Sequence, residues 1–526
     1  MRDFQLNGRS TVFAANGMCA TSTPLAAKVA LQLLESGGNA VDAAIGAAVL
    51  LGFCEPQSTG IGGDCFVLIQ PPNEKKVVAL NGSGRSPIGL DSEELRNEGF
   101  KEMPLYGVES ITVPGAVDAF CRLSNDYGKR GLEFSLIPAI HYAENGIAIS
   151  PRTAFDWANS ASILKGDARE HFLINGNAPS LGQIFRAPGQ AKALRLIAKN
   201  GRAGFYEGEV ASDMVSSLNN LGGTHTMEDF FKTNCNYCET INGFYDGYEL
   251  IEHPPNGQGA TALLMANILN NFDLKLLDPF GVERTHIETE AAKLAYDARN
   301  RFIADLDYTN RLQHMLSTDI ADKLAGLIDL SRATHFDAKM LGSVHKDTVY
   351  LTVVDKDQMA VSMIYSIFHS FGSGMASRKF GINFQNRGAG FTLERGHPNE
   401  VSGFKRPMHT IIPAMLRNAN EFTMPFGVMG GAYQPNGHVR FMTNLIDYNM
   451  DIQEALDGPR SFYDDGDLML ERGYNDQVRD ALKNIGHKVN VPDSPIGGGQ
   501  AIKINWQQGV LEGASDPRKD GCAIGY

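Results

Sequence analysis

Two hydrophobic periods divide the chain. After residue 348 apolar and polar positions alternate with period two. Val349 to Val354 and residues 359–364 flank the turn Asp355-Lys356-Asp357-Gln358, which predicts a β-hairpin. Residues 501–506 and 509–512 predict a second hairpin, with helices near 435–449 and 451–456. Before residue 348 the period is mostly helical. Thr23 can cap a helix that has Pro24 at its first position and stops at Gly37-Gly38; Asn39 caps the next, from Ala40 to about Leu51. Gly60-Ile61-Gly62-Gly63 then turns the chain into a strand at 65–69. This glycine cluster precedes a strand instead of opening a helix, so it fails the dinucleotide-binding fingerprint. Residues 115–125, 138–145, 189–200, 208–219, 259–269 and 285–305 read as helices, which makes 110–310 a mainly helical flank. Residues 334–345 are mixed in polarity and aperiodic, as expected of a flexible approach to a scissile bond or of a surface loop. Helical flanks with hairpins on a sheet predict a layered α/β sandwich.

Composition narrows the functional classes. The chain has 526 residues, 43% of them hydrophobic, ample for a large core. A net charge of −13, from 60 acidic and 47 basic residues, argues against nucleic acid or an anionic membrane surface as partner. The first ten residues lack a signal-type apolar stretch, and the longest apolar run, Ala43 to Cys54, is too short to span a bilayer, so a cytoplasmic location is expected. The pair in Cys235-Asn236-Tyr237-Cys238 has no second pair and no histidine cluster at ligand spacing, so neither a metal nor another cofactor is expected.

Chemistry enters at the junction of the two periods. In Lys346-Asp347-Thr348-Val349-Tyr350 a threonine stands between a polar lead-in and a strand. If the bond between Asp347 and Thr348 breaks, Thr348 carries a free α-amino group beside its hydroxyl. An α-amino group titrates at about 7.7–8.0, so one residue then supplies both nucleophile and base. Thr352, four residues on, shares its strand face. Val428-Met429-Gly430-Gly431 ends an apolar strand with two glycines whose backbone N–H groups are open to approach, as an oxyanion hole requires.

These segments belong to a longer series. Gly17-Met18-Cys19-Ala20-Thr21-Ser22-Thr23-Pro24, Gly37-Gly38-Asn39-Ala40-Val41-Asp42, Glu55-Pro56-Gln57-Ser58-Thr59-Gly60, Phe371-Gly372-Ser373-Gly374, Lys405-Arg406-Pro407, Met429-Gly430-Gly431 and Ala514-Ser515-Asp516-Pro517-Arg518 follow one another in an order that resembles the γ-glutamyltransferase superfamily over residues 10–526. The resemblance implies a four-layer αββα N-terminal-nucleophile hydrolase made from a self-cleaved precursor. Residues 1–347 would form the large subunit and 348–526 the small one, with homo-oligomers of that pair left open. It implies Thr348 as nucleophile, Ser366 as a supporting hydroxyl where the family usually has threonine, Gly430 and Gly431 as the oxyanion hole, and Arg85 as the fork for a substrate carboxylate.

The departures bear on substrate. Ala389-Gly390 replaces the acidic pair that holds a γ-glutamyl ammonium, Phe368 stands where an asparagine is expected, and His409-Thr410 replaces a serine pair; Arg387 lies beside them. An ammonium desolvated without a carboxylate is costly. The pattern is similar to the subgroup with oxamate amidohydrolase and the cephalosporin-acylase homologues, and implies hydrolysis of a small carboxylate-bearing amide. A γ-glutamyltransferase acting on glutathione-like substrates is the alternative, and a non-catalytic scaffold is a third reading that Thr348, Arg85, Gly430 and Gly431 argue against.

Overall fold

The computed structural model describes residue 5 and residues 8–334, 348–419 and 421–526. Asp347, and the expected approach segment beyond Thr334, lie outside the described residues.

Two seven-stranded sheets form the centre. One runs Val12–Ala14, Val510–Ser515, Gly498–Asn505, Phe422–Met429, Ala414–Asn418, Tyr248–Glu252, Ile241–Tyr245. The other runs Cys522–Gly525, Met18–Thr21, Val349–Val354, Ala360–Ser366, Asp64–Gln70, Val78–Gly82, Asn236–Cys238. Both sheets combine strands from before and after residue 348, and neighbours in each are antiparallel.

Alternation along strand Val349–Val354 assigns its faces. Val349, Leu351 and Val353 pack on helices Pro24–Glu35, Ala40–Cys54 and Leu132–Asn145 in one large apolar cluster. Tyr350 points the other way and meets Phe66, Ile364, Ile411 and Met429 between the sheets. The far sheet is covered by helices Gly259–Leu269, Val282–Phe302 and Gln434–Ile446. The layers are therefore αββα, as the sequence predicts.

Helix Ala40–Cys54 is buried along its whole length, and its Asn39–Asp42 capping box closes the N-terminus. Thr23 departs from expectation. It precedes helix Pro24–Glu35, but its hydroxyl donates to Glu55 Oε1 at 2.9 Å and does not cap the helix. The span 110–310 is also not purely helical, since it supplies the strands Asn236–Cys238, Ile241–Tyr245 and Tyr248–Glu252. Among the described residues no helix is long and apolar enough to cross a membrane.

Asp516 pins the C-terminal strands to the body. It is fully buried and accepts from Arg460, from Arg518 Nη1 at 3.2 Å and from the Gly499 N–H at 2.8 Å. Burial alone would raise its carboxyl, but the Arg460 and Arg518 charges hold it below its ordinary value. Asp516→Ala leaves the buried Arg460 guanidinium without its carboxylate, while Arg518 keeps Glu471 at 2.6 Å, and is expected to cost about 3–5 kcal/mol, read as a lower Tm or urea midpoint. A depressed carboxyl stabilises above its unfolded pKa and loses that contribution as pH falls. The gap to wild type should therefore shrink below about pH 4.

Candidate active site

Register builds the site. Val349 pairs with Tyr365, so the next pair toward the hairpin's open end sets Thr348 opposite Ser366; Ser366 in turn pairs with Asp64. Thr348, Ser366 and Asp64 thus form a row across three strands. Each lies an even number of residues from an inter-sheet side chain (Tyr350, Ile364 and Phe66), so the row faces the gap between the sheets. Gly63 sets the spacing: a Cβ there would lie 2.3 Å from the Ser366 carbonyl oxygen.

Thr348 is 2% exposed, and its Oγ1 donates to Ser366 Oγ at 3.1 Å. Ser366 Oγ also accepts from the Phe368 N–H at 2.9 Å and from Arg387 Nη2 at 3.5 Å. The supporting hydroxyl expected from sequence therefore does touch the candidate nucleophile. Thr352 shares the face but not the site: it is about 13 Å along the strand, and its hydroxyl donates to the Val361 carbonyl at 2.9 Å.

Arg387 brings a positive charge to this neighbourhood, beside the Asp64 of the row. It is fully buried, donates from Nη1 to Thr410 Oγ1 at 3.0 Å, and lies 3.9 Å above the Phe368 ring. Its Nε has no hydrogen-bond partner, and among the described residues no carboxylate is in ion-pair contact with it. Burial pushes its pKa down to about 9, against a raising influence from Asp64, so it stays cationic at neutral pH. Phe368 holds this position with φ +81°, a left-handed value uncommon for a bulky residue.

Arg85 is placed differently. Its Nη1 is paired with Asp305 Oδ2 at 3.1 Å, and its guanidinium lies 5.1 Å from the Phe404 ring centre. Asp305 also accepts the Arg406 N–H at 2.9 Å. The charge expected to meet a substrate carboxylate is thus already met by an internal one.

His409 is fully buried. Its Nε2 lies 3.1 Å from Asp64 Oδ2, and the Ile411 N–H donates to Nδ1 at 3.3 Å, so Nε2 carries the proton. Asp64 Oδ1 accepts from Gly84 N–H at 2.8 Å, Gly115 N–H at 3.1 Å and Gln385 Nε2 at 2.9 Å.

The glycine pair ends strand Phe422–Met429 with φ +131° at Gly430 and +58° at Gly431, values glycine alone adopts without penalty. Gln258 Nε2 donates to both the Thr410 carbonyl at 2.6 Å and the Gly431 carbonyl at 3.0 Å. Arg299 Nη1 holds the Gln258 side-chain oxygen at 2.9 Å. This bridge connects the glycines to Thr410, Arg387 and the threonine row.

Asp64, Gln258 and Gln385 were not singled out from sequence. The only local signal was the position of Asp64 directly after the Gly62-Gly63 turn. One group of metal-ligand type occurs among the described residues, away from this row: His286, Glu290 and His487, with ligand atoms within 4.8 Å of one another. Its members already have partners, within the group and beside it. His286 Nδ1 meets His487 Nε2 at 2.8 Å, and Glu290 accepts from Lys293 Nζ at 2.6 Å and from the Thr334 N–H at 3.2 Å.

Comparison with known proteins gives one consistent result. The family model described as "Gamma-glutamyltranspeptidase" matches residues 26–526. A glutathione hydrolase-like YwrD proenzyme of Bacillus subtilis is 34% identical, over 98% of this chain and 99% of its own. The oxamate amidohydrolase proenzyme of Klebsiella pneumoniae is 32% identical, over 98% and 100%. Among solved structures, a cephalosporin acylase from Bacillus halodurans superposes with TM-score 0.93 at 36% identity, covering 100% of this chain and 99% of that one.

The histidine yields a pH prediction. Burial first, and the Arg387 charge next, push His409 down to about 3 against the pull of Asp64, so it is neutral wherever the protein is active. The rising limb of kcat/KM is expected at about pH 7–8, from an α-amino group, and should keep its midpoint in His409→Gln. A limb that disappears in that variant would reassign it to the imidazole. Between pH 6.5 and about 3 the unfolded chain takes up a proton that folded His409 refuses, so this residue costs stability as pH falls through that window.

Proposed function

The chain belongs to the gamma-glutamyltranspeptidase family, and from that premise we propose that it is a self-processing amidohydrolase whose substrate is a small amide bearing a carboxylate and lacking an α-ammonium, of which oxamate is the simplest. The chain is an enzyme of the N-terminal-nucleophile type to which the acylases and amidohydrolases of this family belong, and the hydrogen bond to Ser366 supports Thr348 as the proposed nucleophile. The observation that carries the finer reading is the sign of the charge beside the nucleophile. A buried guanidinium, Arg387, touches Ser366, while Ala389-Gly390 offer no acid. Such a pocket favours an anion and leaves an ammonium unpaired.

In the proposed processing step, Thr348 Oγ attacks the Asp347 carbonyl carbon. The C–N bond breaks as the nitrogen gains a proton, and water then hydrolyses the ester. Residues 1–347 and 348–526 remain as two subunits, the second beginning with a free amine. In turnover the amine takes the hydroxyl proton, Thr348 Oγ attacks the substrate amide carbon, and the Gly430 and Gly431 amides stabilise the oxyanion. Ammonia or an amine leaves with that proton, and water hydrolyses the acyl-threonine. The second reading, a glutathione hydrolase, is favoured by the similarity to the YwrD protein and disfavoured by the missing acid.

Thr348→Ala is expected to remain one chain on a denaturing gel and to be inactive, while Thr348→Ser still splits, because a hydroxyl is retained. Cleavage at this bond in Thr348→Ala would refute the assignment. On processed enzyme, ammonia release from oxamate should exceed amine release from a γ-glutamyl anilide in kcat/KM; the reverse order would favour the second reading. Ala389→Asp alone should raise the γ-glutamyl rate relative to oxamate. Gly390 is left unchanged because a Cβ there would lie 2.7 Å from the Met408 carbonyl oxygen.

A further inference from the structure

Two arginines compete for the substrate carboxylate, and their surroundings differ in kind. Arg85 is bound to Asp305 at 3.1 Å, so a second carboxylate arriving there must share a cation already neutralised. Both keep a buried Nε without a partner, but Arg387 has no carboxylate in contact among the described residues and donates only to the hydroxyls of Thr410 and Ser366. A guanidinium enclosed with neutral acceptors alone is costly unless an anion arrives to pair with it. The planar fork suits a carboxylate, which accepts two parallel N–H bonds.

Position adds a measure of length. Arg387 Nη2 lies 3.5 Å from Ser366 Oγ, which lies 3.1 Å from Thr348 Oγ1. The two ends of the site are therefore no further apart than those two contacts laid end to end. With reacting atoms about 3–3.5 Å apart at attack, a carboxylate joined directly, or through one carbon, to the scissile carbonyl reaches both. The Phe368 ring covers one face of the guanidinium at 3.9 Å, and a longer acid would have to fold back to make the same contacts. Resting on the amidohydrolase reading above, we propose that Arg387, not Arg85, binds the substrate carboxylate, and that the substrates are short monoamides whose carboxylate sits next to the scissile carbonyl or one carbon from it.

The experiment uses processed enzyme, its split verified by intact mass, and the monoamides of oxalic, malonic, succinic and glutaric acids, each beside its neutral diamide. In wild type, kcat/KM should be greatest for oxamate or malonamate and fall with each added carbon. The preference for acid over diamide should be on the order of 100-fold for these two, the scale of a desolvated charge pair. Arg387→Met should abolish that preference, Arg387→Lys should restore part of it, and Arg85→Met should leave it largely in place. Because Arg387 touches Ser366, a variant can fail to process. A second measurement therefore uses wild type alone: competitive inhibition by oxalate, malonate, succinate and glutarate should weaken in that order. A preference that survives Arg387→Met and collapses in Arg85→Met would overturn the assignment while leaving the amidohydrolase reading intact, as would an optimum at glutaramate. Turnover of γ-glutamyl amides with none of any monoamide would overturn both.

Discussion

Asp64 is enclosed at the end of the inter-sheet gap and receives four donors from four separate stretches of chain: Gly84, Gly115, Gln385 and His409. An ionised carboxylate taken out of water costs several kcal/mol unless its lone pairs are met. Folding must therefore bring those four stretches to one point, and doing so arranges everything else. Gly84 precedes Arg85, Gln385 lies two residues before Arg387, and His409 precedes Thr410. Ser366, opposite Asp64 in the sheet, fixes where Thr348 lies. The groups around the nucleophile are held by an acid that does not itself touch it.

The described geometry is that of an unbroken chain, and it separates what cleavage must supply from what is already present. The Thr348 hydroxyl is aimed at Ser366 and buried, and the glycines at the end of the far sheet are in place. Still absent is a free amine, since the nitrogen of Thr348 is part of a peptide bond. On this reading one bond-breaking event creates the base, so no fully armed threonine exists before the fold that places Ser366 beside it is complete.

The sequence revealed what is local and missed what depends on register. The Asn39 cap, the hairpin around Asp355–Gln358 and the strand ending at Met429 carry their signals within a few residues, and all are found where expected. The Asp246-Gly247 turn, with φ +45° and +81°, is of the type that favours a two-residue hairpin and would have identified the strands Ile241–Tyr245 and Tyr248–Glu252 inside the supposed helical flank. Thr352 shows the opposite error: even spacing identified its face correctly, but distance along the strand removes it from the site. Asp64, Gln258 and Gln385 act through partners up to 345 residues away in the chain. Periodicity carries no information about such pairings.

Both seven-stranded sheets are built from strands on the two sides of residue 348. If the chain is cut before Thr348, neither piece retains either seven-stranded sheet whole. Separation would break ladders in both layers at once and expose the whole inter-sheet core, so dissociation and unfolding become the same event. The cut molecule would then melt into two free chains, so its midpoint should fall on dilution, whereas that of an uncut chain would not. A pair of chains made this way needs no search for its partner and no balancing of two syntheses, because one translation product fixes their ratio.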